Sequence, residues 1–86
     1  MYLHIGQNVV VSEKDIIGIF DIDNTTSSHI TRNFLSSAEA AGRVNYVSDD
    51  LPGSYILCGT KDNIIVHISQ LSPQTLQRRS EAKRYD

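Results

Sequence analysis

The chain has 86 residues, with 8 Lys/Arg against 10 Asp/Glu and a net charge of −2. That length suits one domain and is too short for two. The lone Cys58 excludes an internal disulfide, and His4, His29 and His67 are scattered without ligand spacing, so no metal staple is expected. A domain of this size buries only about 60–65% of the surface its unfolded chain exposes. Burial between subunits is therefore the expected source of extra stability.

Tyr2 to Ile5 and Asn8 to Ser12 are β-rich runs separated by Gly6-Gln7, the pattern of a hairpin or sharp bend. The opening residues lack the basic start and long apolar core of a signal peptide. No apolar run approaches the roughly 20 residues of a membrane span. Together with an unpaired cysteine, these features predict a cytoplasmic protein. Asp15 to Ile22 is the next apolar stretch, and its β-branched content predicts a strand. Gly18 within it marks a bulge or a close backbone approach.

The wholly polar Asp23-Asn24-Thr25-Thr26-Ser27-Ser28 predicts a turn, with Thr26, Ser27 or Ser28 capping the helix that follows. Ile30, Phe34, Leu35, Ala38 and Ala41 fall on one side of that helix, and Gly42 stops it. A strand over Arg43 to Val47 follows, then a turn at Asp49-Asp50-Leu51-Pro52-Gly53. Ser54 to Thr60 and Asn63 to Ser69 are two further strands, joined across Lys61-Asp62. Their near-continuous apolar character predicts burial on both faces or at an interface, and within them Cys58 reads as a buried small hydrophobe. Ser72 and Pro73 open a second helix as N-cap and first helical residue. With few apolar residues, this helix depends on docking for its order. The expected fold is a small single α+β domain over residues 1–86. It has a mostly antiparallel sheet, one central helix and a short C-terminal helix with a basic tail over 72–86.

Charge is unevenly distributed. Residues 1–69 hold four Lys/Arg against eight Asp/Glu, whereas residues 70–86 hold Arg78, Arg79, Lys83 and Arg84 against Glu81 and Asp86. A basic tail on an acidic body is one mark of a nucleic-acid contact. Cations at a helix C-terminus also complement the helix dipole whatever the function, so both readings stand.

Ile16 to Thr26 resembles the first motif of haloacid-dehalogenase-type phosphatases, an apolar strand ending in Asp-x-Asp-x-Thr. On that resemblance Asp21 would be the nucleophile and Asp23 the acid/base, with Mg²⁺ between them. Such chemistry also needs cations for the phosphoryl oxygens and further carboxylates for the metal, supplied by successive βαβ units. Each unit takes about 30 residues or more, so the 60 residues after Thr26 cannot hold the full sheet. An Asp- and Thr-rich turn that caps a helix explains the same residues, and no enzyme, cofactor or metal is expected.

Tyr2-Leu3-His4-Ile5-Gly6, Ile17-Gly18-Ile19-Phe20-Asp21, Thr31-Arg32-Asn33-Phe34-Leu35 and Ser72-Pro73-Gln74-Thr75-Leu76 with Arg78-Arg79 carry a second resemblance. In these segments, and in the order of its elements, the chain resembles the bacterial extracellular-matrix regulators of the RemA/RemB family, most of all the RemB branch. The resemblance implies a ring-forming or otherwise oligomeric, DNA-associated regulator of biofilm-matrix genes; the RemA branch assembles into a closed ring. Repeated weak basic contacts around such a ring would add through avidity. In the RemA branch the loop after the strand that follows the first helix is arginine-rich and contacts DNA. Here that loop is Asp49-Asp50-Leu51-Pro52-Gly53, whose carboxylates repel phosphate. The candidate DNA contacts are accordingly Arg32, Arg43, Arg78, Arg79, Lys83 and Arg84. An oligomeric adaptor for another protein, such as a paralogous regulator, is the alternative expectation, in keeping with the acidic loop and body.

Overall fold

The computed structural model describes residues 1–22, 29–60 and 62–84, with side chains through residue 80. In chain order the elements are β1 (Tyr2–Gly6), β2 (Val9–Ser12), a 3-10 turn (Glu13–Asp15), β3 (Ile16–Asp21), α1 (His29–Ala40), β4 (Val44–Tyr46), β5 (Ser54–Thr60), β6 (Asn63–Ser69) and α2 (Pro73–Arg84). The fold class is α+β, with two sheets and two helices. Strands β1 and β2 form a two-stranded sheet, and the other four pair in the order β3-β5-β6-β4. All pairings are antiparallel except β4 with β6. The split into two sheets and the one parallel pair were not expected.

Alternation along β5 explains the layering. Successive strand residues point to opposite faces of a sheet. Ile56 and Cys58 accordingly join Leu3, Ile5, Val47 and Leu76 in one core cluster, while Tyr55 and the half-buried Leu57 join Ala38, Val66 and Ile68 in another. The β1–β2 hairpin and α2 cover the first face, and α1 covers the second. Continuous apolar character in β5 thus does reflect burial on both faces, whereas β6 buries Val66 and Ile68 on one face and leaves Ile65 39% exposed on the other. Across the first interface Ser69 Oγ donates to the Ile5 carbonyl at 2.6 Å, joining the two sheets.

Local signals act where they were expected. On β3 the register slips between Ile16 and Gly18, making Ile17 the extra residue of a bulge. Gly42 ends α1 at φ +73°. There the Gly42 N–H donates to the Glu39 carbonyl at 3.0 Å and the Arg43 N–H to the Ala38 carbonyl at 2.9 Å, the bond pair of a Schellman motif. At the start of α2, Ser72 Oγ accepts from the Thr75 N–H at 3.1 Å, as an N-cap does. The expected cap of α1 at Thr26, Ser27 or Ser28 lies outside the described residues. Strand bounds shift slightly, because Glu13–Asp15 turns before β3 and Val47 leaves β4 to enter the core.

The apolar side of α1 is covered only in part. Ala38 is buried and Leu35 half-buried, but Ile30 is 80% exposed and Phe34 39% exposed. Beside them Phe20 stacks on Tyr55, with ring centroids 5.1 Å apart. Together with Thr31 and Leu57, these four residues line an open cavity of about 330 Å³.

Candidate nucleic-acid interface

The six candidate cations belong to two helices and their ends. Arg32 is exposed on α1, and Arg43 is exposed directly after the C-terminus of that helix. The Arg43 side chain borders a shallow cavity with Phe34, Ser37, Ala38, Ala41 and Ile64. Arg78 and Arg79 lie on α2, and the backbone of Lys83 and Arg84 completes its last turn, their side chains being outside the described residues. Because α1 and α2 cover opposite faces of the four-stranded sheet, one subunit does not gather Arg32, Arg43, Arg78 and Arg79 on one surface. Sequence alone could not show this division, which follows from the docking of two helices far apart in the chain.

Neighbouring arginines on α2 have different surroundings. Leu76 anchors the helix with no exposed surface. Arg79, one turn on, leans over β1: its Nη1 donates to the His4 carbonyl at 3.1 Å and approaches His4 Nδ1 at 3.5 Å. His4 Nε2 faces the Gln7 carbonyl. A carbonyl only accepts and a guanidinium only donates, so Nε2 carries the ring proton and Nδ1 presents its lone pair to Arg79. Ser80 Oγ next donates to the Glu13 carboxylate. Arg78 is exposed and makes no hydrogen bond or ion pair with the other described residues. Helical spacing places Gln74, also exposed, on the same outward face.

The acidic loop is as prominent as the cations. Asp49 and Asp50 are both exposed, and the Asp50 N–H bonds Ser48 Oγ at 3.0 Å, which fixes the start of the turn. Of the phosphatase-like pair, Asp21 is half-buried at the end of edge strand β3, opposite Ser54, and Asp23 lies outside the described residues. No group of three or more His, Cys, Asp or Glu side chains suited to a metal occurs among the described residues.

A third region lies beneath the hairpin. Val10, Val11, Ser12, Asp15, Cys58, Gly59, Ile65 and His67 surround a cavity of about 300 Å³. Burial pushes the Cys58 thiol up to about 11, and the Asp15 carboxylate adds to the shift. Burial also lowers the pKa of His67. Its Nδ1 lies 3.1 Å from Asn45 Nδ2 and accepts that amide proton. A thiol held protonated is a poor nucleophile.

No family model matches the chain. It is, however, 36% identical over 81 residues to extracellular matrix regulatory protein B of Bacillus subtilis (strain 168), an alignment covering 94% of this chain and 91% of that protein. The chain belongs to the RemA/RemB extracellular matrix regulatory family. This RemA/RemB member carries Asp49-Asp50 in the β4–β5 loop and has cations on both helices. No helix among the described residues is long and apolar enough to cross a membrane.

Proposed function

We propose that this protein is an oligomeric, DNA-associated transcriptional regulator of extracellular-matrix genes, acting in the cytoplasm without catalysis or a cofactor. The observation that carries the reading is the near full-length relation to a protein named as an extracellular matrix regulator. Arg78, exposed on the outward face of α2 and without a bond to the other described residues, supports it as a phosphate contact. One such contact per subunit is weak, but repetition around an oligomer multiplies it. The open apolar surface of Ile30, Phe34 and Phe20 favours assembly, since a patch of that kind on a small domain marks an interaction site.

The test is binding of the purified protein to promoter-like and random duplex DNA over a salt series. Each neutralised phosphate contributes a slope of about −0.9 in log K against log salt. Steep weakening with salt is the expected result. No binding at low salt would overturn the DNA reading. It would leave an oligomeric adaptor that binds another protein, a paralogous regulator for instance, which is the reading the exposed Asp49-Asp50 loop favours.

A further inference from the structure

We infer that the two adjacent arginines of α2 divide their work. Arg79 is a strap that fastens α2 to the first strand and is withheld from polyanions, and Arg78 alone of the pair is offered to them. The second half rests on the DNA reading above; the first does not.

The helix needs such a strap. Among its described side chains only Leu76 is fully buried, and a short helix this polar is marginal without tertiary anchors. Three consecutive turns of contact meet that need. Ser72 caps the N-terminus, Leu76 fills the core, and Arg79 and Ser80 tie the next turn to His4 and Glu13. The His4 end of the strap is itself fixed. Its ring proton goes to the Gln7 carbonyl, which aims the bare Nδ1 at the guanidinium. Arg79 thus holds a carbonyl and a ring nitrogen through one terminal nitrogen, while its backbone holds the helix.

Moving that guanidinium to a phosphate would release α2 from β1 and leave the His4 Nδ1 without its donor. A phosphate bond is also charge-assisted, but at Arg79 it comes at the cost of the tie between α2 and β1. Arg78 loses no partner among the described residues on meeting a phosphate. Spacing puts it on the side of α2 away from Leu76, toward solvent.

The test compares Arg78→Ala, Arg79→Ala and Arg79→Lys with wild type by thermal melting and by the salt dependence of duplex binding. Arg79→Ala is expected to lower Tm by roughly 4–8 °C, the shift that loss of one good interaction causes in a domain this small. Arg79→Lys should lower Tm while keeping the salt slope. Arg78→Ala should leave Tm unchanged and reduce the slope by about 0.9 per subunit engaged. The division of labour is overturned if Arg79→Ala melts like wild type, or if Arg79→Lys keeps full Tm yet changes the slope. Should Arg79→Ala fail to fold, NMR of the wild-type guanidinium protons decides. Slow exchange at Arg79 with shifts confined to Arg78 on adding duplex supports the inference, and shifts at Arg79 overturn it. A wild type that binds no duplex defeats the DNA reading, and the melting comparison then judges the strap alone.

Discussion

At the level of single residues, environment decides what each reactive group can do. Cys58 is 6% exposed on a central strand, with its thiol raised to about 11 by burial and by Asp15. Because the thiolate is the reactive form, a rise from 9.0 to about 11 cuts its population roughly 100-fold before access is considered. Thiol reagents at pH 8 should therefore label the native protein at least that much more slowly than the unfolded one; equal rates would contradict the buried placement. His67 makes the opposite kind of link. With its folded pKa below the ordinary 6.5, the unfolded chain takes up a proton first as pH falls. Its contribution to stability is present above 6.5 and is lost as pH drops from there through the folded value. Protonation would also end the acceptance of the Asn45 amide at Nδ1. Denaturant midpoints measured from pH 7.5 to 5 should fall in wild type, and less steeply in His67→Gln.

Among the elements, two glycines show how similar backbone angles carry different costs. Gly42 closes α1 at φ +73°, and a Cβ there would meet nothing within 4 Å. Gly59, at φ +112° in β5, has the Asn63 carbonyl oxygen only 2.1 Å from where a Cβ would sit. Gly42→Ala should cost about 1 kcal/mol, the penalty of a left-handed residue alone. Gly59→Ala should cost more than about 3 kcal/mol, because the β5–β6 hairpin must also open to admit the methyl. Urea titration of both variants checks this, and equal losses would mean that the hairpin yields freely. In α2, Leu76→Ala should cost about 2–5 kcal/mol, as deletion of a fully buried leucine does. Melting that leaves the sheet intact would show instead that the helix docks as an optional element.

For the molecule as a whole, the question is what the uncovered surface is for. Ile30 and Phe34 lie on α1 with Phe20 beside them, an apolar patch on the face opposite α2. If this patch is where copies meet, Ile30→Asp and Phe34→Asp should reduce the mass seen by sedimentation. Monomer stability should change little at the more exposed Ile30. An assembly that keeps its mass with both changes would assign the contact elsewhere. Assembly would also bear on DNA binding, since cations that one subunit places on opposite faces can still form a continuous track across several.

Much of this was legible in the sequence because it is local. The stop at Gly42, the Ser72-Pro73 start, the bulge around Gly18 and the double burial of β5 each depend on a few neighbouring residues and on side-chain period. The α+β class follows from those elements. Only the tertiary structure decided the rest. Two short strands form a separate sheet, β4 pairs in parallel with β6, and helices distant in the chain cover opposite faces. The bond between Arg79 and His4 spans 75 residues, and no local pattern distinguishes Arg79 from Arg78. Composition marks both as candidate phosphate ligands. What separates them is which one the docking of Leu76 turns toward β1.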